Sequence, residues 1–125
     1  MSSGGGAERH PVVLIVEDEP ILIMVMQDLV EEAGCGAIVT NNVEAAISIL
    51  EQRTDIRVVF ADLDVRGTIM GLRLAAMIRD RWPPIELVLT GALAPELDRI
   101  PARGVFCPKP FQQARVVAAI RSFAA

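Results

Sequence analysis

Short apolar runs alternate along the chain with segments in which apolar residues recur at helical spacing. The runs lie at 12–16, 37–40, 58–62, 86–90 and 104–107. Runs of this length are typical of strands buried on both faces, and the segments between them are typical of amphipathic helices. Because strands that alternate with helices form parallel sheets with right-handed crossovers, the sequence predicts an α/β fold with a doubly wound, five-stranded parallel sheet.

Proline, glycine and asparagine mark the predicted helix boundaries. Pro20 suits the first turn of the first helix, and Gly34 ends it. Asn41, with a glutamate three residues later, predicts the start of the second helix. Gly71 leads into the third helix, which ends before Pro83 because the residue before a proline avoids the α conformation. The apolar face predicted for the first helix consists of Ile21, Leu22, Val25, Met26, Leu29, Val30 and Ala33.

Length and composition limit the class of protein. The 125 residues, 52% apolar and 22% charged, suffice for one domain with a sheet covered on both faces. No apolar run approaches the roughly 18 residues needed to cross a membrane. The start of the chain lacks the basic and apolar segments of an export signal, so we expect a cytoplasmic protein with a flexible tail at 1–10 and one domain at 11–125. A net charge of −4 without a basic patch argues against nucleic-acid binding.

The cysteine, histidine and lysine content narrows the choice of sites. Cys35 and Cys107 lack the spacing of a metal-binding pair, and the single histidine, His10, lies in the predicted tail. We therefore expect both cysteines to be buried apolar residues in a reducing compartment. Eleven of the twelve basic residues are arginine, and the only lysine is Lys109. Because an ammonium group differs from a guanidinium in shape and donor geometry, Lys109 is a candidate site residue.

Polar side chains stand at the ends of four predicted strands. Glu17 and Asp18 follow the first strand, Asp62 ends the third, Thr90 ends the fourth, and Lys109 follows the fifth. In the flavodoxin-like strand order 2-1-3-4-5, the first and third strands are neighbours at the ligand-binding edge, so the three carboxylates are expected to meet there. They would repel one another unless a cation neutralised them, and their oxygens suit Mg²⁺. The side chains of Thr90 and Lys109 suit the oxygens of a phosphoryl group that is attacked by a carboxylate. The sequence has no nucleotide-binding GxxxxGK[ST] loop, so the predicted site takes a phosphoryl group and not a nucleotide.

Together these features resemble the receiver domain of two-component response regulators, from about Val12 to the C-terminus. The resemblance rests on Val-Glu-Asp-Glu-Pro at 16–20, Asp62 after an apolar strand, Thr90-Gly91 and Lys109-Pro110-Phe111. It implies a CheY-like fold in a bacterial signalling protein that is not an enzyme, apart from Mg²⁺-dependent self-phosphorylation and slow autodephosphorylation. The implied partners are a histidine kinase or histidine phosphotransfer protein, which donates the phosphoryl group, and a downstream protein that responds to a conformational switch.

The resemblance assigns the phosphoacceptor and the metal ligands. Asp62 is implied as the phosphoacceptor, which attacks a phosphohistidine on the partner. Asp18 is implied as the direct Mg²⁺ ligand beside Asp62, and Glu17 as a ligand that acts largely through water. The backbone carbonyl of Asp64 completes the implied protein ligands.

The resemblance also assigns the residues that hold and sense the phosphoryl group. Thr90 is implied to bind a phosphoryl oxygen, Lys109 to pair with the phosphate, and the small Gly91 to leave the site open. Phe106 occupies the aromatic switch position that turns inward together with Thr90 on phosphorylation. Members of the family usually have a cis peptide bond before the proline that follows the lysine, so we expect one between Lys109 and Pro110.

The chain also departs from the family pattern. Arg66 stands where a proline is common, and the turn at 67–71 is one residue longer than usual. The interval from Thr90 to Lys109 is short, and the segment 93–103 inside it contains two prolines. We therefore expect the helix between the fourth and fifth strands to be shortened or irregular.

Two other classes of protein share part of the pattern. Asp62-Leu63-Asp64 matches the DxD motif of haloacid-dehalogenase-like phosphatases, but in those enzymes the DxD strand comes first and the metal-binding acids come last, the reverse of the order here. A degenerate receiver would take no phosphate and act only as an interaction module. Because the sequence ends soon after the last predicted helix, we expect a stand-alone receiver without an output domain.

Overall fold

A computed structural model describes residues 10–64, 68–92, 100–101 and 103–124. Its elements are β1 (Val12–Val16), α1 (Pro20–Glu32), β2 (Gly36–Thr40), α2 (Val43–Gln52), β3 (Ile56–Asp62), α3 (Thr68–Arg81), β4 (Glu86–Gly91), β5 (Gly104–Pro108) and α4 (Gln113–Ala124). The five strands are parallel and form one sheet in the order β2-β1-β3-β4-β5, which confirms the predicted fold. In these ranges, every helix is too short or too polar to cross a membrane.

Helices cover both faces of the sheet, as the continuous apolar runs predict. Successive residues of a strand point to opposite faces. Val13 and Ile15 of β1 accordingly pack with α1 and α4, whereas Leu14 and Val16 pack with α2 and α3. The central strands β1, β3 and β4 are almost entirely buried, so their carboxyl ends are held by core packing on both sides.

Both cysteines belong to the core, as predicted. Cys35 and Cys107 are free thiols buried among the side chains between the sheet and the helices α1 and α4. Burial raises the pKa of each thiol, which keeps it protonated and therefore a poor nucleophile.

Two predicted details of the first two helices are wrong. Asn42, not Asn41, caps α2, because Asn42 has the extended backbone of an N-cap and its side chain accepts a hydrogen bond from the N–H of Ala45 at 2.7 Å. Ile21 is 71% exposed and does not belong to the inner face of α1. At 3.6 residues per turn it lies about 140° around the helix from the buried Met26.

The third helix also begins earlier than predicted. α3 starts at Thr68 rather than near Gly71, so most of the turn predicted at 67–71 is helical. One internal glycine lowers helix propensity only modestly, and packing against the sheet compensates for it. Residues 1–9 of the tail predicted at 1–10, Arg66 and most of the segment predicted to hold a shortened helix lie outside the described residues.

Candidate functional site

An acidic cavity of about 640 Å³ lies at the carboxyl ends of β1 and β3. These strands are neighbours, with Val16 paired to Ala61, so the residues that follow them meet at one edge of the sheet. The cavity contains five carboxylate side chains and one ammonium group. Its lining consists of Glu17, Asp18, Glu19, Pro20, Leu22, Asp62, Asp64 and Lys109. The structure thus brings together the three predicted carboxylates and the only lysine.

Asp62, the last residue of β3, is the most enclosed of the aspartates in this cavity. Asp62 is 3% exposed, and both oxygens of its carboxylate accept hydrogen bonds. Oδ1 accepts from the backbone N–H of Asp64 at 2.7 Å, and Oδ2 accepts from Lys109 Nζ at 2.6 Å. These two bonds fix the plane of the carboxylate relative to the cavity.

Glu17 is buried beside Asp62. Its Oε2 accepts hydrogen bonds from the backbone N–H groups of Asp18 and Glu19, both at 3.0 Å. Its Oε1 is buried without a hydrogen-bond partner in the described part of the chain. Burial, followed by the neighbouring carboxylate of Asp62, raises the pKa of Glu17 to about 8. A proton on Glu17 therefore relieves the repulsion between the two acids when no cation does so.

Lys109 joins the end of β5 to the acids of β3. Its Nζ lies 2.6 Å from Asp62 Oδ2 and 3.1 Å from Asp64 Oδ2, and its backbone N–H donates to the carbonyl of Gly91 at 3.0 Å. Burial lowers the pKa of Lys109, but its bonds to the two aspartates outweigh burial, and the net shift is upward. The peptide bond between Lys109 and Pro110 is cis, as the resemblance predicts.

The side chain of Asp64 is a site residue that the sequence reasoning missed. The resemblance assigned only its backbone carbonyl, yet Asp64 Oδ2 also accepts a hydrogen bond from the backbone N–H of Ala92 at 2.8 Å. A Cβ at Gly91 would lie 3.2 Å from Asp64 Oδ1, so the glycine leaves room for this carboxylate. An acid two residues after the strand-end Asp62 was the available signal. Asp64 ties the end of β3 to the end of β4 and shares Lys109 with Asp62.

Thr90 lies next to the cavity but does not line it. It pairs with Asp62 in the register of β3 and β4, and its side chain is fully buried. Its Oγ1 has no hydrogen-bond partner within the described ranges, so the hydroxyl is free to donate to a new acceptor. The predicted position of Thr90 beside the phosphoacceptor is therefore consistent with the structure.

Phe106 lies in β5, away from the acidic cavity. It pairs with Leu89, the residue before Thr90, and its partly buried ring packs with the core on the α2 and α3 side of the sheet. Its backbone carbonyl accepts a hydrogen bond from Arg115 at 3.2 Å. The switch role of Phe106 stays a prediction.

The acidic side chains fit a Mg²⁺ ion that is bound largely through water. Among the described residues, no group of three or more acidic, histidine or cysteine side chains is arranged to hold a metal ion unaided. Mg²⁺ needs only one or two protein carboxylates and keeps several waters or phosphate oxygens. The unpartnered Oε1 of Glu17, together with Asp18 and Asp62 in the same cavity, supplies oxygen donors of this kind.

Comparison with known proteins identifies the class to which this fold and site belong. The sequence model of the response regulator receiver domain matches residues 13–121. The chain therefore belongs to the response regulator receiver domain family.

Solved structures share the fold at low sequence identity. A response regulator receiver protein from Sinorhizobium medicae WSM419 is 21% identical with a TM-score of 0.83, and the match covers 94% of this chain and 96% of that one. The receiver domain of an HD domain-containing protein from Pseudomonas fluorescens Pf-5 is 18% identical, with a TM-score of 0.76 and coverage of 92% and 94%.

A third similar structure is a complex. It is the co-crystal structure of the Saccharomyces cerevisiae histidine phosphotransfer protein Ypd1 with the receiver domain of its downstream response regulator Ssk1. The match has a TM-score of 0.74 and 18% identity, and it covers 93% of this chain and 90% of that one.

Proposed function

We propose that this receiver domain accepts a phosphoryl group on Asp62 from a phosphohistidine of a histidine kinase or histidine phosphotransfer protein. The observation that carries the proposal is the state of Asp62, which is buried in the cavity with its oxygens held by the N–H of Asp64 and by Lys109. A carboxylate held in one orientation loses little further freedom when it attacks. Labelling with acetyl phosphate, followed by intact mass measurement, tests the proposal.

The transfer uses groups that the chain already holds in place. An Asp62 oxygen attacks phosphorus, the phosphorus–nitrogen bond breaks, and the imidazole leaves with the electron pair of that bond. Lys109 then pairs with a phosphoryl oxygen in place of its bond to the free carboxylate. The unengaged hydroxyl of Thr90, beside Asp62 in the sheet, donates a hydrogen bond to another phosphoryl oxygen.

We assign Mg²⁺ to the acidic cavity as the cofactor. Asp18 and Asp62 serve as its direct side-chain ligands, the carbonyl of Asp64 as a backbone ligand, and Glu17 as a ligand through water. When bound, Mg²⁺ neutralises negative charge on the phosphoryl oxygens. The unpartnered Oε1 of Glu17 and the excess of carboxylates over cations in the cavity support this assignment.

Mg²⁺ is expected to raise the melting temperature. At about ten times its dissociation constant, a ligand that binds only the folded state stabilises it by roughly 1.4 kcal/mol, or about 5 °C for a domain of this size. Thermal unfolding with and without Mg²⁺ measures the shift. Asp18→Asn should lose most of it, whereas Asp80→Asn, on the exposed side of α3, should keep it. An unchanged shift in Asp18→Asn would exclude Asp18 as a ligand.

We also propose that the phosphoryl donor docks on the exposed face of α1. Ile21 and Met24 are 71% and 64% exposed, and they are the two large hydrophobic residues exposed in the described part of the chain. α1 begins at Pro20 in the wall of the acidic cavity, so this face lies beside the opening that a donor histidine must enter. The complex of Ypd1 with a receiver domain of similar fold supports a protein partner of this kind.

Replacing both exposed residues, Ile21→Ser and Met24→Ser together, is expected to slow phosphorylation by a protein donor at least about tenfold, because two apolar side chains lose their burial in the complex. Labelling by acetyl phosphate needs no docking and should be unchanged. Rates measured with both donors separate the two effects. An equal decrease in the phosphorylation rate with both donors would show that the substitutions disturb the acidic cavity and not a docking face.

Neither alternative class is favoured. The strand order and the family match are those of receiver domains. A haloacid-dehalogenase-like phosphatase would use Asp64 for acid–base catalysis, but the Asp64 side chain is held by the N–H of Ala92 and by Lys109. A degenerate module would not need the full set of carboxylates, threonine and lysine found here. We place the phosphotransfer in the cytoplasm, where the two buried thiols stay reduced.

A further inference from the structure

A second cavity, of about 390 Å³, lies at the opposite edge of the sheet from Asp62. It lies beside the first residue of β3, Ile56, and beside Ile85, which directly precedes β4. The strand β3, which ends in the acidic cavity with Asp62, thus begins at this one. Its lining consists of Leu50, Glu51, Arg53, Thr54, Ile56, Arg57, Arg81, Trp82, Pro83, Pro84 and Ile85.

The floor of the second cavity is apolar. Leu50, Ile56 and Ile85 are 2%, 5% and 7% exposed and belong to the core on the α2 and α3 side of the sheet. The partly buried indole of Trp82 packs against the same core and forms a wall. An apolar floor with an aromatic wall favours a flat hydrophobic group over a hydrated ion.

The rim of this cavity is basic on a chain whose net charge is −4. Arg53, Arg57 and Arg81 line it, whereas Glu51 is its one carboxylate among the described residues. Guanidinium groups match carboxylates with two parallel hydrogen bonds, so three of them beside an apolar floor favour an anionic head group.

The ion pairs on this rim are exposed and exchangeable. Arg81 bonds Glu51 at 2.9 Å, and its Cζ lies 4.4 Å from the centroid of the Trp82 ring. Arg53 bonds Asp55 at 2.6 Å and 2.8 Å. Side chains of both pairs are 43–51% exposed, and exposed pairs contribute little to stability, so an incoming carboxylate can replace Glu51 or Asp55 with little loss of stability.

We propose that this second cavity binds a small aromatic carboxylic acid. The aromatic ring lies on the floor formed by Leu50, Ile56 and Ile85, against the wall formed by Trp82, and the carboxylate pairs with the arginine rim. The cavity volume falls in the range of small-molecule sites. A sugar phosphate fits less well, because its hydroxyl groups would lie on the apolar floor without hydrogen-bond partners.

Fluorescence gives a direct test, because Trp82 is the only tryptophan and the chain has no tyrosine. Intrinsic tryptophan emission of the full chain therefore reports on this cavity. Titration with phenylacetate is expected to give a saturable change in emission. Phenylacetamide, which has the same shape without the charge, should bind at least about tenfold more weakly, and acetate alone should give no saturable change.

Charge variants locate the site. Arg57→Gln and Arg53→Gln should each weaken phenylacetate binding about tenfold, whereas Arg73→Gln, an exposed arginine of α3 outside the lining, should leave it unchanged. Asp62→Asn should also bind normally, which separates this site from the phosphoryl-transfer site. Equal affinity for the acid and the amide, equal effects of Arg57→Gln and Arg73→Gln, or no saturable change would each overturn the proposal.

Discussion

Replacing Lys109 with methionine is expected to destabilise the metal-free protein by about 3 kcal/mol at neutral pH. In the described part of the chain, Lys109 is the one cationic side chain that lines the acidic cavity, and it contacts Asp62 and Asp64 at 2.6 Å and 3.1 Å. Its loss leaves the buried Asp62 carboxylate without a compensating charge. Methionine retains most of the aliphatic stem, so the change removes mainly the ammonium group. Urea unfolding in the presence of EDTA measures the loss.

Two further variants make this result specific. Arg53→Met removes an exposed ion pair with Asp55, a pair whose side chains are 45% and 51% exposed, and should cost far less stability than Lys109→Met. Adding Asp62→Asn to Lys109→Met removes the uncompensated carboxylate and should restore most of the lost stability. If Lys109→Met costs no more than Arg53→Met, the ammonium group does not stabilise Asp62.

The metal-free protein is also expected to lose stability as the pH rises. Burial and the neighbouring carboxylate of Asp62 raise the pKa of Glu17 from 4.5 to about 8 in the folded state. The folded state therefore binds this proton more tightly than the unfolded state. The resulting stabilisation is fully present below pH 4.5 and is lost as the pH rises through about 8, at up to about 1.4 kcal/mol per pH unit.

Glu17→Gln isolates this contribution from the other titrating groups. Glutamine can still accept the hydrogen bonds from the N–H groups of Asp18 and Glu19, but it does not titrate. Free energies of unfolding from urea titrations between pH 5 and pH 8 should fall more steeply for the wild type than for Glu17→Gln. Mg²⁺ should reduce the difference, because a bound cation favours ionised Glu17. Parallel pH profiles without metal would show that Glu17 is already ionised.

The fold could be predicted because its central strands are buried on both faces. β1 is a continuous apolar run for this reason, and so is β3 from Val58 to Ala61. An acid directly follows each run and marks the edge of the sheet. The exact starts of α2 and α3 could not be predicted. Two consecutive asparagines offered two caps for α2, and only the extended backbone at Asn42 decides between them. In α1, apolar residues occur on both faces, so the sequence alone does not show which face packs against the sheet. Met26, Leu29 and Val30 lie on the buried face, and Ile21 lies on the exposed one.

The acidic site was predictable to the extent that each residue ends a strand. Glu17, Asp18, Asp62 and Lys109 meet as expected because neighbouring parallel strands bring their carboxyl ends to one edge. The side-chain role of Asp64 was not predictable in this way. It depends on a backbone N–H of Ala92 in another part of the chain, and an acid two residues after Asp62 does not by itself indicate that contact.

Intact mass spectrometry after incubation with acetyl phosphate and Mg²⁺ shows whether Asp62 is the phosphoacceptor. We expect one adduct of about 80 Da that depends on Mg²⁺. It should be absent from Asp62→Asn and present in Asp80→Asn, a carboxylate on the exposed side of α3. An adduct that persists in Asp62→Asn, or no adduct on the wild type, would contradict the assignment. Rapid multiple turnover of acetyl phosphate would instead indicate a phosphatase.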